Sequence, residues 1–381
     1  MKRDYQLVNV GSHVNPPPTM WVDYFPKSIR HLAPLHVTQQ FDGEGLFEAL
    51  MLEGVAYRML ESQIGVQTDR AILMERGVPF ARSFFEGPEG QRDPAARISD
   101  QDLDKVDADV CLHPGFPALM PNDITTRWGL TYAFNSWLGD FCSYDRSRLI
   151  GVAELPIWDV ELAIKEAHRI AGMGLRGVLM PAVPGYVGSW SVPAIHAYTH
   201  PVYIPLWQTL NDLGLVMVVH ADAAAATAGL RGYENPAINM IVNKTMAQEM
   251  IASLIVGNIF HDYPNLRLVC IETGVGWMAH LVSWMELMMR EEGFNFNFRH
   301  LKESPGETFH KHVFGSFLWD TMGVMTRDII GVGNIMWCND YPHSYGPWPH
   351  SRDRLEQDVA GLSAQDRYKI LAGNAVRVFD L

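Results

Sequence analysis

Val216-Met217-Val218-Val219-His220 is a run of four apolar residues closed by an imidazole. It is too short for a helix and too uniformly apolar for a strand with one wet face, so it suits a strand covered on both sides. Reading outward, the same grammar recurs at residues 6–10, 108–113, 149–154, 177–180, 266–272, 312–318 and 335–339, which makes eight strands. The segments between them carry helical spacing. Asp159 stands as a cap before Val160, Ala163, Ile164, Ala167, Ile170 and Ala171, with Gly172 and Gly174 ending the run. Pro205 opens another helix that stops near Gly214, and Ser363 with Asp366 starts a last one carrying Tyr368, Leu371 and Ala375. Eight apolar strands alternating with helices predict an α/β fold, the (β/α)8 TIM barrel.

The 381 residues are then one domain, residues 1–381, with a long insertion between strands 1 and 2. That insertion, about residues 40–100, includes the polar stretch 87–99; it reads either as a cover over the barrel mouth or as surface elaboration. A second break is the loop 341–350, with three Pro and three aromatic residues just after the last strand.

Composition narrows the function. A net charge of −13, with no Lys/Arg run, argues against a nucleic-acid partner. No stretch approaches the length of a membrane span, and the N-terminus lacks the apolar core of a signal peptide, so the expected location is cytoplasmic. Cys111, Cys142, Cys270 and Cys338 are scattered without Cys-x-x-Cys spacing and read as buried free thiols.

Barrel active sites are built where the strands end. His13 follows the first strand, His220 ends the fifth, Glu272 the sixth and Asp340 the eighth. Core packing has no need for ligand-type residues at four strand ends. Two imidazoles and a carboxylate suit Zn2+, and the same set can hold non-haem iron. Each residue also has a plain structural reading, and Glu272, before Thr273-Gly274, could simply cap the next helix. His113 precedes Pro114 and reads as structural, and neither His168 nor His261 is given a role.

Several segments resemble the amidohydrolase-related family, the branch of the amidohydrolase superfamily with aromatic-acid decarboxylases, hydrolases and related non-haem metal oxygenases. They are Ser12-His13-Val14-Asn15-Pro16-Pro17, residues 134–142, Ile271-Glu272-Thr273-Gly274-Val275-Gly276-Trp277, Trp337-Cys338-Asn339-Asp340-Tyr341-Pro342-His343 and residues 373–379. The resemblance spans nearly the whole chain. It implies metal ligation by His13, His220 and Asp340. Relatives usually carry an acidic residue two positions before the first His, and many carry one three positions after it. Here those positions are Gly11 and Pro16. A two-metal site is then hard to build, and one divalent metal is expected, Zn first, with Fe or Mn as the other candidates. His343 or Glu272 would be an extra or supporting ligand.

The expected function is a metal-dependent enzyme that hydrolyses or decarboxylates a small organic acid or amide. In that reading Asp340 ligates the metal and moves a proton, while His343 and Glu272 orient the substrate. The alternatives are a subunit of a heteromeric oxygenase, this chain carrying the reduced metal site, and a pseudoenzyme. Arg127 and Arg231 are candidate anchors for a substrate carboxylate. Eleven Trp and nineteen Met, with Trp284 and Met288 before Phe294-Asn295-Phe296, suggest a subunit interface. The partner would be a second copy or a homologous barrel subunit.

Overall fold

The computed structural model describes residues 3–58, 81–113, 121, 123–182, 184, 196–220, 247–293, 295, 298–344 and 346–381. Arg231, Pro114, Phe294 and Phe296 lie outside the described residues, as do residues 59–80 of the insertion. Eight parallel strands follow one another round a barrel: β1 (Val8–His13), β5 (Ala108–Leu112), β6 (Leu149–Glu154), β7 (Gly177–Leu179), β8 (Val216–His220), β9 (Leu268–Ile271), β10 (Val313–Phe317) and β11 (Ile335–Trp337). The ring closes where β1 meets the end of β11. Ser12 pairs in parallel with Tyr341, and the amides of Asp340 and His13 donate to the carbonyls of Gly11 and Tyr341.

Two apolar layers result. Side chains such as Val8, Val110, Val152, Val218, Val269 and Phe314 fill the barrel interior. The alternate residues, among them Cys111, Ala153, Met217 and Cys270, pack outward against the helices. This is the two-residue strand period at work. All four cysteines are buried and none is in a disulfide. Among the described residues no helix is long and apolar enough to cross a membrane.

Local signals hold where they are local. Asp159 accepts from the Leu162 amide at 3.0 Å and the helix ends at Gly172, with Gly174 at φ +83° just beyond. Ser363 accepts from Asp366 N, and the helix Ile204–Leu213 stops at Gly214 in the left-handed region. Strand bounds move more. The first strand runs on past Val10 to include His13, and His312 ends the helix Pro305–His312 instead of opening a strand.

The insertion begins before residue 40, as a three-stranded antiparallel sheet of β2 (Leu35–Phe41), β3 (Gly45–Leu52) and β4 (Val55–Tyr57). Its last tight turn reaches the barrel, because Glu53 accepts from the amide of Asp123. Asp123 in turn caps the helix Ile124–Ser143 that follows β5, so the contact falls at the strand-end face of the barrel. The insertion closes with the helix Pro94–Asp104, capped by Asp93.

Candidate metal centre

Gly11 decides which side chain of β1 enters the barrel. Val10 pairs with Val110 but Ser12 pairs with Cys111, so Gly11 is an extra residue, a β-bulge at φ +140°. Without it the two-residue period would carry Ser12 inward after Val8 and Val10. With it His13 comes opposite Leu112, an interior residue, while Ser12 turns outward with Cys111. A Cβ on Gly11 would stand 2.7 Å from Glu272 Oε1 and 3.0 Å from Ile271 Cγ2. The position is glycine because Glu272 fills the space that a side chain would take.

Glu272 follows β9 with φ +60°, its amide held by Ser316 Oγ at 3.0 Å. Its carboxylate lies between two imidazoles, 3.1 Å from His13 Nε2 and 2.9 Å from His220 Nε2. The helix-cap reading for Glu272 is therefore corrected. The free amides at the start of the helix Gly276–Glu292 go to Asp320, which accepts from Val275 N and Gly276 N at 2.6 and 2.7 Å. Glu272 thus brings to His13 a carboxylate of the kind that Gly11 cannot supply.

Asp340 is fixed from both sides. Asn339 exchanges two hydrogen bonds with Asn9, its Oδ1 also accepts from Tyr341 N, and Asp340 N is bonded to Gly11. Such over-determination lets Asp340 hold φ +55°. Its Oδ1 lies 2.9 Å from His13 Nε2 and 2.6 Å from His343 Nδ1. Neither contact counts as a hydrogen bond, and among the described residues both buried Asp340 oxygens have none. His13 and His343 stack with ring centroids 4.4 Å apart.

Ligand atoms of His13, Glu272, Asp340 and His343 all lie within 4.8 Å of one another, and all four residues are buried. His220 stands beside this group, on the second oxygen of Glu272. The electrostatics ask for a cation. Burial opposes charge on His13, but Glu272 and Asp340 override it and hold the pKa up at about 10. Burial likewise pushes Glu272 up, yet His13 and His220 take it well below the carboxylate range. Burial and Glu272 raise Asp340, while His343 and His13 outweigh them and leave it lowered. A proton on His13 thus does part of the neutralising that a divalent ion does in a metal site. Two carboxylates, imidazole nitrogens and orphaned Asp340 oxygens fit such an ion.

Other sequence candidates lie elsewhere. His113 packs its ring edge-on to Phe134, with centroids 5.1 Å apart. Arg127 is buried and donates through Nε to the Pro121 carbonyl at 2.7 Å. His168 is exposed. Trp284 is half exposed, on the helix Gly276–Glu292, while Met285 is buried. Sequence reasoning missed Glu154, which ends β6 as a carboxylate closing an apolar strand. The signal that singled out Glu272 and Asp340 was present there too.

Residues 108–381 match the family model described as amidohydrolase. Over 265 residues the chain is 25% identical to a γ-resorcylate decarboxylase of Polaromonas sp., covering 65% of this chain and 75% of that one. A solved amidohydrolase from Mycobacterium avium subsp. paratuberculosis is similar over 99% of this chain and 100% of its own, with TM-score 0.76 and 20% identity. A dihydroxybenzoic acid decarboxylase of Polaromonas sp., solved with manganese and the inhibitor 2-nitroresorcinol, covers 99% of this chain and 98% of its own. Its TM-score is 0.61 at 17% identity.

Proposed function

The chain belongs to the amidohydrolase family, and from that premise we propose that it is a metal-dependent decarboxylase of small aromatic acids. The observation that carries the reading is the buried cup of carboxylates and imidazoles at the strand ends. Relatives named for decarboxylating γ-resorcylate support carboxy-lyase chemistry. The hydrolase, oxygenase-subunit and pseudoenzyme alternatives gain no specific support from these likenesses.

One divalent ion would be held by His13, His220 and Asp340, with Glu272, which touches both imidazoles, adding a second carboxylate. Zn2+ suits this set, and the manganese of the Polaromonas structure makes Mn2+ an equal candidate. When bound, the ion supplies the positive charge that draws in the substrate carboxylate. Glu272 holds the two imidazoles in register. The interior residues Leu112, Val218 and Ile271 give the barrel beneath an apolar floor that excludes water. His343, its Nδ1 2.6 Å from Asp340 Oδ1 and its ring stacked on His13, would serve as the proton donor. As the bond from ring carbon to carboxylate breaks and CO2 leaves, the electron pair stays on the ring carbon and takes the proton from His343. Asp340 steadies the imidazole that gives it.

The test loads the purified chain with Mn2+ or Zn2+, counts metal, and follows γ-resorcylate loss and CO2 release in wild type and His220→Ala. About one metal per chain and steady turnover, both lost in the variant, are expected. A metal-replete wild type that leaves γ-resorcylate and the monohydroxybenzoates untouched would sink the decarboxylase reading. A chain that takes up no metal would sink the metal centre itself.

A further inference from the structure

One ionisable side chain in the interior rows of the barrel takes no part in the cup described above. Ile150 and Val152 of β6 belong to the interior cluster, whereas Leu149 and Ala153 belong to the outer layer. The two-residue period therefore points Glu154 inward. It is 1% exposed, and neither carboxyl oxygen has a hydrogen-bond partner among the described residues. The backbone at the same position is held firmly. Its amide donates to Asn135 Oδ1 and its carbonyl accepts from Asn135 Nδ2, both at 2.9 Å. Hydrogen bonds hold the main chain of Glu154 in place, while among the described residues its carboxyl has no partner.

His13, Glu154 and His220 are the last inward residues of the first, third and fifth barrel strands. In an eight-stranded barrel, side chains at one height come from alternate strands. These three thus share the uppermost layer, with Glu154 across from the metal cup. We propose that Glu154 is a substrate-recognition residue, pairing its carboxyl with a hydroxyl or amino substituent on the ring of an aromatic acid whose carboxylate faces His13 and His220. The inference rests on the decarboxylase reading and adds to it the kind of ring that the site takes.

The chemistry of the bare carboxyl sets the preference. Burial alone pushes Glu154 up to about 8, so near neutral pH it is an uncharged acid with one O–H donor and one carbonyl acceptor. A phenolic hydroxyl or an aromatic amine can satisfy both. An unsubstituted ring leaves both buried and unpaired, which weakens binding about ten- to hundred-fold.

The test is calorimetric titration of metal-loaded wild type, Glu154→Leu and Glu154→Gln with benzoate, the three monohydroxybenzoates and γ-resorcylate. Melting temperatures of the ligand-free proteins are measured alongside. Wild type is expected to bind at least one hydroxylated acid about ten-fold or more tighter than benzoate. Glu154→Leu should lose that advantage while benzoate affinity and metal content hold, and Glu154→Gln, still a donor and acceptor, should keep part of it. Because a bare buried carboxyl is removed, ligand-free Glu154→Leu should melt no lower than wild type. An advantage that survives in Glu154→Leu overturns the proposal. So does a Leu variant that fails to fold or melts well below wild type while Gln restores it, since the carboxyl would then be structural. If benzoate binds with no preference for hydroxyl groups, the recognition role alone falls. If no benzoate binds the metal-replete wild type, the aromatic-acid reading falls and the inference with it.

Discussion

Two clusters of buried charge meet back to back on β1, one on each side of the strand. Behind the strand, Arg97 donates to the Gly90 carbonyl at 2.7 Å, to Ser12 Oγ at 2.7 Å, to Asp109 at 3.1 Å and to the His13 carbonyl. Its guanidinium lies over the Tyr341 ring at 4.3 Å. Asp109 also accepts from Asn9 at 2.9 Å. In front of the strand, Asp340 and Glu272 crowd imidazoles, and the Asp340 oxygens are left without hydrogen bonds. Burial is equal on the two sides. Where every donor has an acceptor, the cluster ties elements together; where lone pairs converge on one point, the cluster awaits a ligand.

The largest effect should come from breaking the satisfied side. Arg97→Met leaves Asp109 a buried carboxylate without its cation, at a cost of about 3–5 kcal/mol. A denaturant melt should show it, and Arg97→Lys should rescue little, because one ammonium cannot reproduce the planar fork. A melt unchanged from wild type would erase the contrast between the two clusters. On the front side, Asp340→Asn should reduce turnover by about a thousand-fold or more, roughly 4 kcal/mol of barrier. Because His343 and His13 hold the Asp340 carboxyl below its usual range, the metal-free variant should lose some stability, but less than Arg97→Met. A large loss of stability there would make Asp340 structural.

Gly11→Ala sits at the seam. A methyl group 2.7 Å from Glu272 Oε1, at a backbone angle foreign to L side chains, should cost about 1–3 kcal/mol and weaken metal uptake. Isothermal metal titration would show whether the two losses travel together. A separate effect is in pH dependence. The pKa of Glu154 is raised in the fold, so the native state binds more protons than the unfolded chain between about pH 4.5 and about 8. Stability should fall as pH rises through that window, by at most about 1.4 kcal/mol per unit. Glu154→Gln should remove that part of the slope. The charged pair Glu166 with Arg169, which Asn135 links to the Glu154 backbone, is present in both proteins.

Much of this molecule is legible in the sequence because its signals are short. Strand cores, the Asp159 and Ser363 caps, the Gly214 stop and the strand-end positions of His220, Glu272 and Asp340 each depend on a handful of neighbouring residues. Glu154, an acid closing the apolar run of the third barrel strand, is equally legible there. Tertiary structure alone decided that a bulge at Gly11 turns His13 inward and Ser12 outward, since that parity depends on pairing with β5, a hundred residues away. It also decided that Asp320 caps the helix after β9 and leaves Glu272 free to enter the cup. Sequence sets which side chains a strand offers; the register between distant strands sets which of them share a cavity.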